Sequence, residues 1–174
     1  TGEISESINS FQKYLEITPL DAKIFNNLGV MLLESTRLDE AVVSFKKAIS
    51  LKYDYPNAYN NLGMTLKKLG KLDESEVSLK KAIELKSDFA EAYCNLGDTQ
   101  TVLLKLEEAE KNLRQAISLK PNYADAFCNL GIALKQLGRL EEAERSLKKA
   151  LVFKSNFSEA YNNLAVILKE QGKL

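Results

Sequence analysis

The sequence contains no histidine. That removes a Ser-His dyad and any histidine-containing metal site from consideration. There are two cysteines, Cys94 and Cys128, and three prolines. No apolar run is long enough to span a bilayer. The opening Thr-Gly-Glu-Ile-Ser-Glu has neither the basic nor the apolar region of a signal peptide. It also lacks a Met, so the chain is expected to be a piece of a longer protein or a processed form. Charge of either sign is not in surplus: 24 Lys plus Arg balance 24 Asp plus Glu across 174 residues. A neutral chain is poorly equipped to displace counterions from nucleic acid. Neither a phosphate loop nor a dinucleotide-binding glycine pattern occurs. The many carboxylates fall at helix positions expected to be exposed, with no evident pocket. These absences point away from an enzyme, a metal, a cofactor, nucleic acid and a membrane, and toward a cytoplasmic protein.

What the chain does have is one stretch written five times. Ala90-Glu91-Ala92-Tyr93-Cys94-Asn95-Leu96-Gly97 recurs as Ala124-Asp125-Ala126-Phe127-Cys128-Asn129-Leu130-Gly131. It appears earlier as Pro56 to Gly63, more loosely as Ala22 to Gly29, and last as Ser158 to Ala165, with Ala for Gly. Each copy begins 34 residues after the one before (22, 56, 90, 124, 158). A period of that size signals an array of small units rather than one folded-up core.

Each unit reads as helix, turn, helix. In residues 22–55, Phe25, Leu28, Leu32 and Leu33 have helical spacing over Ala22 to Glu34. Ser35-Thr36-Arg37 makes a turn. Leu38, Ala41, Phe45, Ala48, Ile49 and Leu51 then give a second helical stripe. Asp39 and Glu40 open that helix, and Lys46, Lys47 and Lys52 fall in its later part, which suits the helix dipole. Residues 56–89, 90–123 and 124–157 repeat the plan. Gly70 and Gly138 stand at the turns as helix stops. Leu104 stands there in the third unit, so its turn is expected to be less regular. Asp54, Asp88, Asn122 and Asn156 are expected as N-cap acceptors, with Asp88 and Glu91, and Asn156 and Glu159, spaced as capping boxes. Pro19 and Pro121 punctuate the ends of second helices.

The ends are half units. Residues 1–21 match a second helix, and residues 158–174 match a first helix. That makes ten helices, each marginal alone in water and dependent on its neighbours for stability. The complementary ends predict head-to-tail self-association, completing a repeat between chains. Such a contact is open-ended. Tyr161, Leu164, Ile167 and Leu168 are the apolar residues it would cover.

These units closely resemble the tetratricopeptide repeat (TPR) family. The fourth shows Phe127, Leu130, Gly131, Gly138, Ala143, Leu147 and Ala150; the family's final Pro is replaced by Ser155. The third shows Tyr93, Leu96, Gly97, Ala109, Leu113, Ala116 and Pro121. The small residues let helices approach closely, and the aromatic fills the space between them. The resemblance covers essentially the whole chain. It implies an all-α fold, an α-α superhelix (TPR solenoid) of antiparallel helix pairs, first helices on the concave face. It also implies a protein–protein interaction scaffold that binds a peptide or partner protein in the concave groove. Fold alone does not name the partner.

The residue before each Leu-Gly or Leu-Ala is Asn five times: Asn27, Asn61, Asn95, Asn129 and Asn163. Asn is a mediocre helix former, and its amide both donates and accepts. A row spaced by helix packing at ~10 Å matches three residues of extended chain at ~3.3 Å each. The row resembles the asparagine ladder in the repeat region of O-GlcNAc transferase, which holds substrate peptides by their backbone. The chain then reads alternatively as the substrate-recognition region of a larger glycosyltransferase. Against both stands a plainer reading, in which the Asn bonds to a neighbouring helix or is repeat consensus inherited by duplication.

Beside the row lie Asn26, Asn60, Cys94, Cys128 and Asn162. One turn on, Val30, Met64, Asp98, Ile132 and Val166 form a mostly apolar floor. One lip reads Lys23, Asn57, Glu91, Asp125 and Glu159. The other reads Leu33, Lys67, Thr101, Lys135 and Lys169, largely basic. The peptide-binding candidates are the five row asparagines with Asn26, Asn60, Met64, Asp98, Lys67 and Lys135. Opposed lips of opposite charge suit a ligand without strong net charge; a solvated groove without a ligand is the alternative. The carboxylate clamp by which some family members hold chaperone tails is not expected, because Asn26 or Asn60 stands where Lys is needed. Packed helices sit ~8–10 Å apart and a disulfide needs Cα atoms within ~7 Å, so both cysteines are expected as free thiols. Lys46-Lys47, Lys80-Lys81 and Lys148-Lys149 are expected on solvated second-helix faces, with Glu76 and Lys80, Glu110 and Arg114, and Glu144 and Lys148 paired at i,i+4.

Overall fold

A computed structural model describes residues 21–173. Nine α-helices and no strands occur among them. In chain order they are α1 (Ala22–Glu34), α2 (Leu38–Leu51), α3 (Pro56–Lys68), α4 (Leu72–Leu85), α5 (Ala90–Val102), α6 (Leu106–Leu119), α7 (Ala124–Gln136), α8 (Leu140–Phe153) and α9 (Ser158–Glu170). The half repeat expected over residues 1–21, with Pro19, falls outside the described residues apart from Asp21. The chain divides into two compact units, residues 1–87 and 88–174. The first holds α1–α4 and the second α5–α9.

Three-residue turns fold α1 on α2, α3 on α4, α5 on α6 and α7 on α8 as antiparallel hairpins. Within each unit successive first helices also touch: α1 with α3, α5 with α7, α7 with α9. The small residues make the close approach possible. A Cβ built on Gly97 would lie 2.5 Å from Leu113 Cγ of α6, and on Gly131 2.6 Å from Leu147 Cγ of α8. Ala109, Ala116, Ala143 and Ala150 are fully buried on the same second helices. The core of the first unit is built on Leu28, Leu32, Phe45, Leu62 and Leu66. That of the second is built on Leu113, Phe127, Leu130, Leu134, Leu147 and Ile167.

The turns correct one expectation. Gly70 and Gly138 both have φ of 75°, and their N–H groups donate to Lys67 O and Lys135 O. The next residues, Lys71 and Arg139, donate to Leu66 O and Leu134 O, which completes the Schellman pattern. Leu104 adopts the same geometry, φ 59°, with the same two bonds to Thr101 O and Gln100 O. Thr36 does likewise at φ 59°. The third turn is therefore regular. The hydrogen-bond pattern imposes the left-handed conformation and a non-glycine residue bears the strain.

The capping expectation also fails; the one side-chain N-cap among the described helices is Asp21, which is not among those expected and accepts from Lys23 N–H at 2.8 Å. The N-caps of α3, α5, α7 and α9 are Tyr55, Phe89, Tyr123 and Phe157, and none makes a side-chain cap bond. Asp54, Asp88, Asn122 and Asn156 sit one residue too early. An aromatic takes the cap position in all four, with its ring wholly or partly buried. Phe89 is buried; Tyr55, Tyr123 and Phe157 are half-buried. The lysine that ends the preceding second helix lies over this ring: Lys52 Nζ 5.4 Å from Tyr55, Lys120 Nζ 4.5 Å from Tyr123, Lys154 Nζ 4.1 Å from Phe157. Each lysine thus serves the helix C-terminus and a cation–π contact together.

Candidate functional site

All five row asparagines lie on first helices, because the 34-residue period equals one hairpin plus its connections. Asn27 and Asn61 belong to the first unit; Asn95, Asn129 and Asn163 belong to the second. Asn27 is exposed and the other four are half-buried. Their amides are partly engaged. Asn61 Nδ2 donates to Asn26 Oδ1 of the neighbouring first helix at 3.1 Å. Asn129 Nδ2 reaches Cys94 Sγ of α5 at 3.6 Å. Asn163 Nδ2 donates back to Glu159 O of its own helix at 3.0 Å. One such bond uses one of two N–H donors and leaves the acceptor oxygen unspent. The bonds between neighbouring helices therefore give the row a structural job without exhausting its capacity to bind.

The residues beside the row divide by depth. Asn26 and Asn60 are buried, so they support the row rather than face solvent. Met64, Asp98, Lys67 and Lys135 are half-buried. Leu33 and Thr101 are buried, with Thr101 Oγ1 donating to Gly97 O. The second lip is thus narrower than its sequence suggests: Lys67, Lys135 and Lys169 remain, and Lys135 lies 3.5 Å from Glu170. On the first lip, Glu91 pairs with Lys120 at 3.4 Å and Asp125 with Lys154 at 3.5 Å. Several of the charges expected along the lips are thus neutralised locally.

Cys94 and Cys128 are both free and buried. Burial, aided by the carboxylates of Asp98, Asp125 and, for Cys128, Glu159, pushes both thiols up to about 12. Neither is a thiolate at neutral pH, and both act as small packing residues. Among the described residues no cluster of His, Cys, Asp and Glu could hold a metal ion.

The three expected i,i+4 pairs form: Lys80–Glu76 at 2.8 Å, Arg114–Glu110 at 2.8 Å and Lys148–Glu144 at 2.7 Å. Their carboxylates are not the solvated groups expected. Glu76 is buried and Glu110 and Glu144 nearly so, because they occupy the core-edge position held by Val42 in α2. Two of them take a second cation 29 residues on: Arg139–Glu110 at 2.7 Å and Lys173–Glu144 at 2.8 Å. Repetition of these charges at a fixed offset was the available signal for such bridges.

A tetratricopeptide-repeat family model matches residues 124–157, and a related TPR repeat model matches 31–70, 65–101 and 105–138. The chain belongs to the tetratricopeptide repeat family, an all-α class of helical-repeat proteins that serve as protein-interaction scaffolds. Solved structures of TPR proteins superpose on it. MamA is 26% identical with a TM-score of 0.79, the match covering 88% of this chain and 90% of that one. YrrB, described as a TPR protein with an unusual peptide-binding site, is 24% identical with a TM-score of 0.75, over 92% of this chain and 83% of that one. A thermophilic TPR protein in Thermus thermophilus is 21% identical with a TM-score of 0.78, over 97% and 92%. No curated protein matches the sequence. Among the described residues no helix is long and apolar enough to cross a membrane.

Proposed function

We propose that the chain is a non-catalytic interaction module that holds an extended peptide through its row of asparagines. The observation that carries this reading is the row itself: one residue of low helix propensity, at one position of five first helices, with amide capacity left over at Asn61 and Asn163 after their packing bonds. Each unit presents its own segment, Asn27 and Asn61 in one, Asn95, Asn129 and Asn163 in the other. Half-buried Met64 and Asp98 flank the row, and Lys67 and Lys135 edge it. Hydrogen bonds to backbone amides favour ligands by shape and spacing rather than by side chain.

The test is a peptide selected on the full chain and measured against Asn27→Ala and Asn163→Ala. These two spare the Asn61–Asn26 and Asn129–Cys94 bonds. A loss of about tenfold per site, roughly 1.4 kcal/mol, supports the reading; unchanged affinity with an intact fold removes it. The same row serves the alternative, a substrate-recognition region of a larger glycosyltransferase related in design to O-GlcNAc transferase. The gene sequence on either side of the chain decides between them.

Head-to-tail association through the ends remains part of the proposal. Of the four residues expected on the exposed face of α9, only Tyr161 is exposed, at 51%; Leu164 and Leu168 are half-buried and Ile167 is fully buried against the core of its own unit, while Val166, not among the four, is 42% exposed. Ala165 tempers the association further. At Gly29, Gly63, Gly97 and Gly131 a Cβ would come within 2.5–2.6 Å of the second helix, and Ala165 carries that Cβ. A second helix from another copy has to sit further off. Ala165→Gly is expected to tighten association measured by sedimentation; if it does not, the contact does not complete a standard repeat.

A further inference from the structure

The second unit has a cavity of about 410 Å³ on its second-helix side, between α6 and α8. Phe127, Leu130 and Leu134 of α7 meet there with Ile117 of α6. The rim carries three cations, Arg114, Arg145 and Lys149, and one carboxylate, Glu142. That carboxylate is already committed: Arg139 binds it at 2.7 Å, and Arg114 lies 3.6 Å away. Arg145 makes no ion pair among the described residues. Lys149 has no carboxylate partner among them and lies 5.5 Å from the Phe127 ring. Phe153, 47% exposed, stacks on Phe127 at 5.7 Å between centroids. Arg114 is held by Glu110 at 2.8 Å and Arg145 shares the field of the already bound Glu142, which leaves an apolar recess beside a surplus of positive charge in a chain that is neutral overall.

The first unit supplies the contrast. Its cavity between the end of α2 and α4 is about 440 Å³ and is lined by Tyr53, Tyr59, Val77, Lys80, Lys81 and Glu84. Both its lysines are paired, Lys80 with Glu76 at 2.8 Å and Lys81 with Glu84 at 2.7 Å. Val77 stands where the second unit has Arg145, 68 residues on (77, 145). The charge excess belongs to the second unit alone.

We propose that the cavity between α6 and α8 docks an acidic peptide segment carrying a large apolar side chain. The apolar group enters against Phe127 and Ile117, flanked by Phe153. Carboxylates of the peptide meet Arg145 and Lys149, with Arg114 at the edge. The site is separate from the asparagine row. At 3.6 residues per turn, Asn129 lies about 160° around α7 from Phe127 and about 140° from Leu134.

The experiment is fluorescence anisotropy on the full chain with a labelled peptide, Glu-Asp-Phe-Glu-Asp-Leu, and its basic counterpart, Lys-Lys-Phe-Lys-Lys-Leu. The acidic peptide is expected to bind, more weakly as salt rises, and the basic one not to. Arg145→Val with Lys149→Ala is expected to weaken binding about tenfold, while Asn27→Ala with Asn163→Ala leaves it unchanged. Arg145→Val installs the residue that the first unit already tolerates, so folding is expected, and circular dichroism checks it. Arg145→Lys, which keeps the charge, is expected to restore most of the affinity. The proposal is overturned if both peptides bind equally, if the acidic peptide does not bind, if the charge variant binds as well as the parent, or if a short single-stranded oligonucleotide outcompetes the peptide.

Discussion

Leu104 and Asn95 lie nine residues apart on one hairpin and carry opposite kinds of information. Leu104 holds a left-handed backbone at φ 59° with its side chain largely exposed. Such a conformation costs an L-residue about 1–2 kcal/mol, against about 0.5–1 kcal/mol of extra chain entropy for glycine. Leu104→Gly is therefore expected to raise stability by up to about 1 kcal/mol in urea denaturation, with the fold unchanged. Gly97 is the converse. An added Cβ would press on Leu113 at 2.5 Å, and Gly97→Ala is expected to cost about 1–3 kcal/mol. The sequence announced the glycine's packing role through its recurrence before a second helix. It could not announce that leucine would accept the turn, because the hydrogen bonds that impose it come from the whole hairpin. Asn61 separates structure from function: Asn61→Ala strips buried Asn26 of its donor and is expected to cost about 1–3 kcal/mol, whereas exposed Asn27→Ala is expected to be nearly neutral.

At the scale of the helix, boundaries were legible and their chemistry was not. The apolar period places α1 and α2 at Ala22–Glu34 and Leu38–Leu51, as observed. The caps were misread because an acidic residue next to a helix start looks the same on paper one position early. The third hairpin holds another local surprise. Gln100 is buried where Leu32, Leu66 and Leu134 stand, and it is satisfied by Asn112 Nδ2 at 2.7 Å and by its own donation to Glu108 Oε2 at 2.9 Å. Asn112→Ala is expected to destabilise by about 1–3 kcal/mol, and Gln100→Leu with Asn112→Ser, which restores the pattern of the other repeats, to recover it. The acid response also belongs to helices. Lys148 and Lys173 hold the Glu144 carboxyl down at about 2, from an ordinary 4.5. Hydrogen bonding to Arg139 lowers Glu142 in the same direction. Groups with depressed folded values stabilise above the unfolded value and lose that contribution as pH falls toward the folded one. Thermal melts are expected to drop between about pH 4.5 and 2, and Glu144→Gln to differ from the parent at neutral pH but converge with it at the acid end.

For the molecule as a whole, the array was legible from its period, and the proposed site rests on one recurring amide. Less legible was how much of the groove's apparent charge is spent internally, since Glu91, Asp125 and Lys135 find partners that lie far off in sequence. Charges spent in this way leave the proposed site mainly hydrogen bonding with which to hold a ligand, which favours the proposed contacts to peptide backbone. The most direct measurement compares three versions of one selected peptide by calorimetry: the parent, a version with non-anchor side chains permuted, and a version with alternate backbone amides N-methylated. Backbone recognition by the asparagine row predicts that permutation leaves the affinity within a few-fold and that N-methylation abolishes it. Retention of binding after N-methylation, or its loss on permutation alone, would contradict that account.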